Sequence, residues 1–452
     1  MMTFLAILGA LALLIPAHEY AHYRVALACG VKVLRFSIGF GPTLARWQSS
    51  AGGTEFVLGA FPLGGYVKML DERAETVPPE QRNQAFNTQR LSARAAIVAA
   101  GPLANLLLAV ALFALVGWIG VQEPQAVLAS PEPGSIAARA GLMGGERVER
   151  AGFDAQTLET VQSFGDVREW LSRGALDGKD VTLEVSTKDH AARRGVLLHL
   201  SELQSGDMTP ELFLKIGLTG PLTQALIGEV QDGAARRSGL RSGDRVLRIG
   251  SEPIVDGHQL RERIRASVRD GEPLTQTWII ERLGTRVEVN VTPDLRQDGA
   301  QTVGRIGAYV GSNPAWVTIR RGPVEGLWMG VLHTWDMGST SLKILGKMLM
   351  GEASLKNLSG PLTIADYAGK AASQGIVPYL QFLALISVSL GVLNLLPLPV
   401  LDGGHLMYYL WEGLTGRTVS PAWMDRLQRG GVALLLMLMS IALFNDVTRL
   451  LG

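Results

Sequence analysis

The chain has 452 residues, too long for one ordinary domain, and its 18% charged residues fall below the roughly 25% usual in soluble domains. With 47% apolar residues and a mean hydropathy of +0.20, the composition excludes a disordered chain and argues against a wholly soluble one. A net charge of +1 offers no global field for nucleic acid, and the single cysteine, Cys29, excludes an internal disulfide framework or an all-cysteine zinc cluster.

The first element is a helix over about 3–24. No charged side chain precedes Glu19, and this length crosses a bilayer core. No Lys or Arg precedes Arg24 either, so a cleaved signal peptide is disfavoured and the helix is expected to be retained. It contains HEYAH, with His18 and His22 one turn apart on one face. Two neutral imidazoles at that spacing suit one Zn²⁺, and Glu19 stands beside them as a base for a bound water. Three ionisable groups in five positions of a spanning helix need a strong partner, and a divalent cation is one. Pro16 removes a backbone donor just before the motif and loosens the helix there.

The connection 24–94 carries nine Lys/Arg. Within it, 54–60 (TEFVLGA) and 65–70 flank a Pro-Leu-Gly turn and predict a β-hairpin too apolar for a solvated loop. A charge-free run of 28 residues then predicts a second spanning helix over 97–118.

An internal repeat follows. Residues 137–152 (AARAGLMGGERVERAG) and 235–250 (ARRSGLRSGDRVLRIG) match at nine of 16 positions with an offset of 98. That period suits a duplicated domain, each copy reading as a short helix, a Gly turn and a strand. In the second copy a polar helix over 258–268 precedes strands near 275–281 and 286–291; in the first, 163–178 reads as irregular. The stretch 326–349 predicts an amphipathic helix lying on an interface, with Trp328 and Trp335 as anchors.

A 31-residue charge-free run predicts a third span over 379–400, and a 16-residue run a fourth over 430–447. The third run ends in NLLPLPVLDGGH, residues 394–405. The histidine pair needs a third ligand, and Asp402, the first charged group after the third run, supplies a carboxylate that offsets the metal's charge. His405 is the competitor, and Glu412 lies too near a basic loop. Basic residues of the 24–94 and 412–429 loops put both loops in the cytoplasm and the long 123–375 segment outside.

The motifs together carry a resemblance. HEYAH in the first span and NLLPLPVLDG at the end of the third, with GFGPTL, PLGGYVKMLDE and AAGPLAN before the repeats, resemble the site-2 protease family of intramembrane zinc metalloproteases. GAARRSGLRSGDRVLRIGSEPI resembles a bacterial PDZ domain, and the first copy does so more loosely. The implied fold is a polytopic α-helical membrane protein of four transmembrane helices, with a membrane-associated β-hairpin and two inserted α+β PDZ-like domains. Its implied divisions are 1–122 (catalytic, membrane), 123–218 and 219–312 (PDZ-like), 313–375 (interfacial) and 376–452 (catalytic, membrane).

The resemblance further implies that His18, His22 and Asp402 hold one zinc per chain and that Glu19 is the base. It implies that Asn394 contacts the substrate backbone or the reaction oxyanion. Ser389 stands where such proteins commonly have asparagine, five residues before Asn394. The hairpin, with Gly64 and Gly65 at its turn, is expected to pair with an unwound substrate, since an intact helix hides its carbonyls. Implied substrates are single-span membrane proteins, such as a membrane-bound anti-sigma factor already trimmed outside, and leftover signal peptides. Peptide C-termini are the expected PDZ ligands, the bilayer is the expected setting, and the location is the bacterial inner membrane, with the PDZ pair periplasmic. Two other functions fit less of the chain: a membrane-anchored PDZ scaffold, which needs no metal, and a zincin with a water-exposed site, whose motif helix would be amphipathic.

Overall fold

The computed structural model describes residues 2–48, 50, 52–187, 193–203, 210–299, 301–350 and 360–451. The chain forms two units, one from residues 1–121 and 320–452 and the other from 122–319.

Among the described residues, four helices of the first unit are long and apolar enough to cross a membrane: Met2–Ala28, Leu91–Ile119, Ile376–Leu395 and a fourth within Pro421–Leu451. The second helix is central, packing against the first, the third, Pro323–Leu349 and Asp402–Thr415. Ala10, Leu14, Leu112, Leu383 and Ala384 form the buried contact of the first three helices. Outward side chains such as Phe4, Leu107, Leu115 and Phe444 stay exposed, as lipid-facing positions do.

The third helix is shorter than expected and stops at Leu395. Pro397 forces Leu396 out of the helical region, and Leu396 is extended at φ −63°, ψ 144°. The chain turns and restarts at Asp402, the first residue of Asp402–Thr415.

The expected hairpin is also different. Residues 55–59 and 65–69 do not pair with each other. Residues 35–38 lie between them, facing Lys68 to Gly65 on one side and Glu55 to Leu58 on the other, while 43–48 pair with 55–59. The result is a four-stranded sheet in the order 43–48, 55–59, 33–38, 65–69. The strand 33–48 is long enough to fold back on itself, so the local Pro-Leu-Gly turn does not select the partner.

Helix Pro323–Leu349 covers the stretch expected to be amphipathic, and the two tryptophans expected as anchors lie off its packing face. Trp328 and Trp335 are exposed, whereas Gly326, Gly330, Thr334 and Gly338, spaced by four, are buried. Gly326 meets Trp118, Gly330 meets the Val110 carbonyl and Gly338 meets Val392, so small residues bring this helix close to the second and third spans. The next helix, Pro361–Gln374, has its first turn capped from afar. Asp446 of the fourth span accepts the backbone N–H groups of Gly360, Leu362 and Thr363 and the Thr363 hydroxyl.

The second unit contains two copies of one arrangement. In the first, a sheet runs Glu159–Thr160, Arg147–Gly152, Val181–Ser186, Arg193–Leu198; in the second, Glu252–Pro253, Arg245–Ile249, Gln276–Arg282, Thr285–Val291. Each sheet packs one helix, Phe164–Asp177 or Gly257–Arg265, over a separate apolar core. The first copy is therefore regular where irregularity was expected. Ser163 and Asp166 form a reciprocal capping box that starts its helix, a signal present in the sequence SFGD. Asp256, the N-cap of the second helix, also accepts the Ser130 N–H and hydroxyl, and His258 Nε2 meets Glu132 Oε1 at 2.9 Å, so the copies are joined by polar contacts.

Candidate metal centre

The first span carries His18, Glu19 and His22 where it packs on the second, and the restart after the third span brings Asp402 to them. His18 Nε2 lies 3.2 Å from His22 Nε2. Asp402 Oδ2 is 3.3 Å from the first and 3.5 Å from the second. These are the group of metal-ligating side chains that the described residues bring together, with donor atoms all within 4.8 Å of one another.

The donors fit a divalent metal. Two neutral imidazoles and one carboxylate are a usual zinc set that leaves a position open. His22 Nδ1 lies 2.7 Å from the Ile97 carbonyl, which can only accept, so the proton is on Nδ1 and the Nε2 lone pair faces the cluster. Gly101 is the cradle: a Cβ there would collide with His22 Nε2 and reach within 2.6 Å of His18 Cε1. Asn105, 1% exposed, places Nδ2 3.2 Å from His18 Nδ1, and the buried Ser387 hydroxyl donates to the Asn105 carbonyl at 2.7 Å.

Asp402 is held by its own helix. Arg94 Nη2 of the second span meets Glu412 Oε1 at 2.6 Å, and the Arg94 guanidinium lies over the Tyr409 ring at 5.1 Å. Glu412 is thus the fastener of the Asp402 helix. Gly403 and Gly404 press on the carbonyls of Leu395, Leu396 and Leu398, leaving no room for side chains in the turn. His405 faces Tyr408 edge-on and stands outside the cluster.

The remaining expected residues are placed less centrally. Glu19 is half-buried, within electrostatic reach of His18, His22 and Asp402, and makes no hydrogen bond or ion pair among the described residues. Gly65 lies against it: a Cβ at Gly65 would be 2.8 Å from Glu19 Cγ and 3.2 Å from Ile15 Cγ2. Gly64 sits against the Phe40 ring, one residue farther along. Asn394 is half-buried in the last turn of the third span and bonds to none of the three candidate ligands among the described residues. Ser389 turns back on its own helix, donating to the Leu385 carbonyl at 3.0 Å. Gly101 and Asn105 fall in AAGPLAN, quoted for the resemblance with no role given to either, and the Ile97 carbonyl was not singled out, although 97, 101 and 105 recur every four residues on one stripe of the second span.

The chain as a whole is similar to known proteins. The model of peptidase family M50 matches residues 6–438. A Ralstonia nicotianae protein named as a candidate zinc metalloprotease is 44% identical over 472 aligned positions, covering 100% of this chain and 99% of that protein. Proteins named regulator of sigma-E protease RseP are 39% identical in Salmonella typhimurium, covering 98% of each chain, and 38% identical in Escherichia coli, covering 98% of this chain and 97% of that one.

Proposed function

The chain belongs to peptidase family M50 and is a multi-pass zinc metalloprotease, and on that premise we propose that it cuts peptide bonds within the membrane-spanning segments of single-span proteins. The observation that carries this reading is the convergence of His18, His22 and Asp402 beside Glu19, between helices long and apolar enough to span a bilayer. In this reading the three side chains hold one zinc per chain. When bound, zinc polarises the scissile carbonyl and makes water a stronger acid.

Glu19 then takes a proton from water as its oxygen attacks the carbonyl carbon. The same carboxyl returns the proton to the amide nitrogen as the C–N bond breaks. Asn394, and Ser389 less directly, would steady the substrate backbone. Strand 65–69 is an edge of its sheet among the described residues, and Gly65 sets that edge beside Glu19. Unpaired backbone groups there would replace the internal hydrogen bonds that a helical substrate gives up on unwinding.

The site lies in the bacterial inner membrane in this reading, with both basic loops cytoplasmic and the repeats periplasmic. Substrates are pre-trimmed anti-sigma factors and signal-peptide remnants. The second repeat, as a PDZ domain, takes peptide C-termini. A cleft of about 740 Å³, lined by Arg261, Ile264, Arg305, Ala308 and Tyr309, supports that assignment, since arginines suit a terminal carboxylate.

The test is co-expression with candidate single-span substrates. Glu19→Gln should keep fold and zinc and abolish cleavage, because the amide is nearly isosteric and is not a base. Cleavage at the wild-type rate would overturn the assignment of Glu19 as the base, and purified protein free of zinc would favour a membrane-anchored scaffold.

A further inference from the structure

We propose that Asn105 is a positioning residue that fixes His18 as its Nδ1–H tautomer, so that the Nε2 lone pair faces His22 and Asp402. This rests on the metal-site reading above. A histidine ligand must present an unprotonated nitrogen, and the hydrogen bond made by its other nitrogen decides which one that is. For His22 the Ile97 carbonyl makes the choice. For His18 the choice falls to the Asn105 amide, 3.2 Å from Nδ1.

The two ends of an amide have almost the same shape and are told apart by their partners. With Nδ2 toward the ring, Nδ1 must accept, the imidazole proton moves to Nε2, and an N–H points into the donor cluster. In that orientation the buried Asn105 Oδ1 has no hydrogen-bond partner among the described residues. With the amide turned by half, Oδ1 accepts from Nδ1–H and the Nε2 lone pair is released toward the cluster. The turn gives up no bond made elsewhere, because among the described residues Nδ2 meets only His18 and Oδ1 meets nothing; it leaves the Nδ2 hydrogens unpaired in place of Oδ1. Asn105 is firmly held in this position, being 1% exposed with its backbone carbonyl anchored by Ser387. One stripe of the second span thereby serves both rings, through a carbonyl at Ile97, a gap at Gly101 and an amide at Asn105.

The experiment uses the full chain in detergent, with Asn105→Leu, Asn105→Asp and His22→Ala. Zinc affinity is read by chelator competition, and the His18 tautomer by ring ¹⁵N shifts in the zinc-free protein. Asn105→Leu should weaken zinc binding ~10–100-fold and move the His18 proton toward Nε2. Asn105→Asp, which is isosteric and as a carboxylate only accepts, should bind zinc at least as tightly as wild type and keep Nδ1–H. It also keeps the test decisive if the leucine variant fails to fold. An unchanged tautomer and affinity in Asn105→Leu, or a loss in Asn105→Asp equal to that in Asn105→Leu, overturns the proposal. If instead His22→Ala retains full zinc, the metal-site reading fails, while the ring shifts still decide what Asn105 does to His18.

Discussion

At the scale of single residues, the smallest group in the centre makes the sharpest prediction. Gly101 leaves the space that both imidazoles fill. Gly101→Ala adds one methyl, a mild change in an ordinary helix and a favourable one for helix propensity. Here the methyl must displace His22 or His18, and bonds to zinc tolerate only a few tenths of an ångström. We expect the variant to keep its helical content and to lose most of its zinc and activity, by circular dichroism, metal analysis and substrate cleavage. Zinc at the wild-type level would show that the rings have slack. The contrast with His18, Glu19 and His22 explains what the sequence discloses. Ionisable side chains stand out in an apolar run because they are costly there. A glycine, an amide and a carbonyl act through shape and backbone, and in AAGPLAN nothing distinguishes them from ordinary helix packing until the first span is laid against them.

At the scale of elements, the repeat shows one device built twice. Asp244 and Glu146 occupy the same position 98 residues apart. Asp244 accepts the Arg241 N–H at 2.7 Å and both arms of Arg282 at 2.7 and 2.8 Å. Glu146 accepts the Met143 and Gly144 N–H groups and pairs with Arg194. Burial pushes the Asp244 pKa up, but Arg282 and the Arg241 N–H outweigh it and hold the group below its ordinary 3.8. A lowered folded-state value means that the contribution is complete above the unfolded pKa. It is lost as pH falls through the folded one. Asp244→Asn should therefore cost the second copy about 3 kcal/mol near neutral pH. The cost should begin to shrink below about pH 4, the unfolded value, and go on shrinking as pH falls through the lowered folded one, as read by denaturant unfolding across pH. A pH-independent cost would mean that shape rather than charge is lost. The same scale shows where sequence reading stops. Turn chemistry and periodicity located 54–60 and 65–70 in the 24–94 connection and missed 33–38 and 43–48; the partner of 65–69 is 33–38, more than 25 residues away, and no local signal reports it. Likewise the apolar run from 371 to 401 hides the break at Leu396, because Pro397 and Pro399 leave hydropathy high while ending the helix.

At the scale of the whole chain, topology is the first thing to measure. With Cys29 replaced by alanine, a cysteine at Arg82 should be labelled from the cytoplasm only and one at Gln297 from outside only, both positions being exposed. Labelling of both from one side would refute the four-span map. The course of the chain around the metal centre has a further consequence. His22 and Asp402 stand 380 residues apart in sequence, so an ion held by both, as proposed, would act as a removable cross-link that closes almost the entire polypeptide into a ring. Like any ligand that binds only the folded form, zinc at 100 times its Kd adds about 2.7 kcal/mol of stability. That gain belongs to the unit that holds the ends, while the repeats in between have their own cores and no share in the ligands. Calorimetry of the intact protein should then show two melting transitions. Chelation should lower the one from the spanning helices by several degrees and leave the other in place. A common shift of both would mean that the loop and its clasp melt as a single cooperative body.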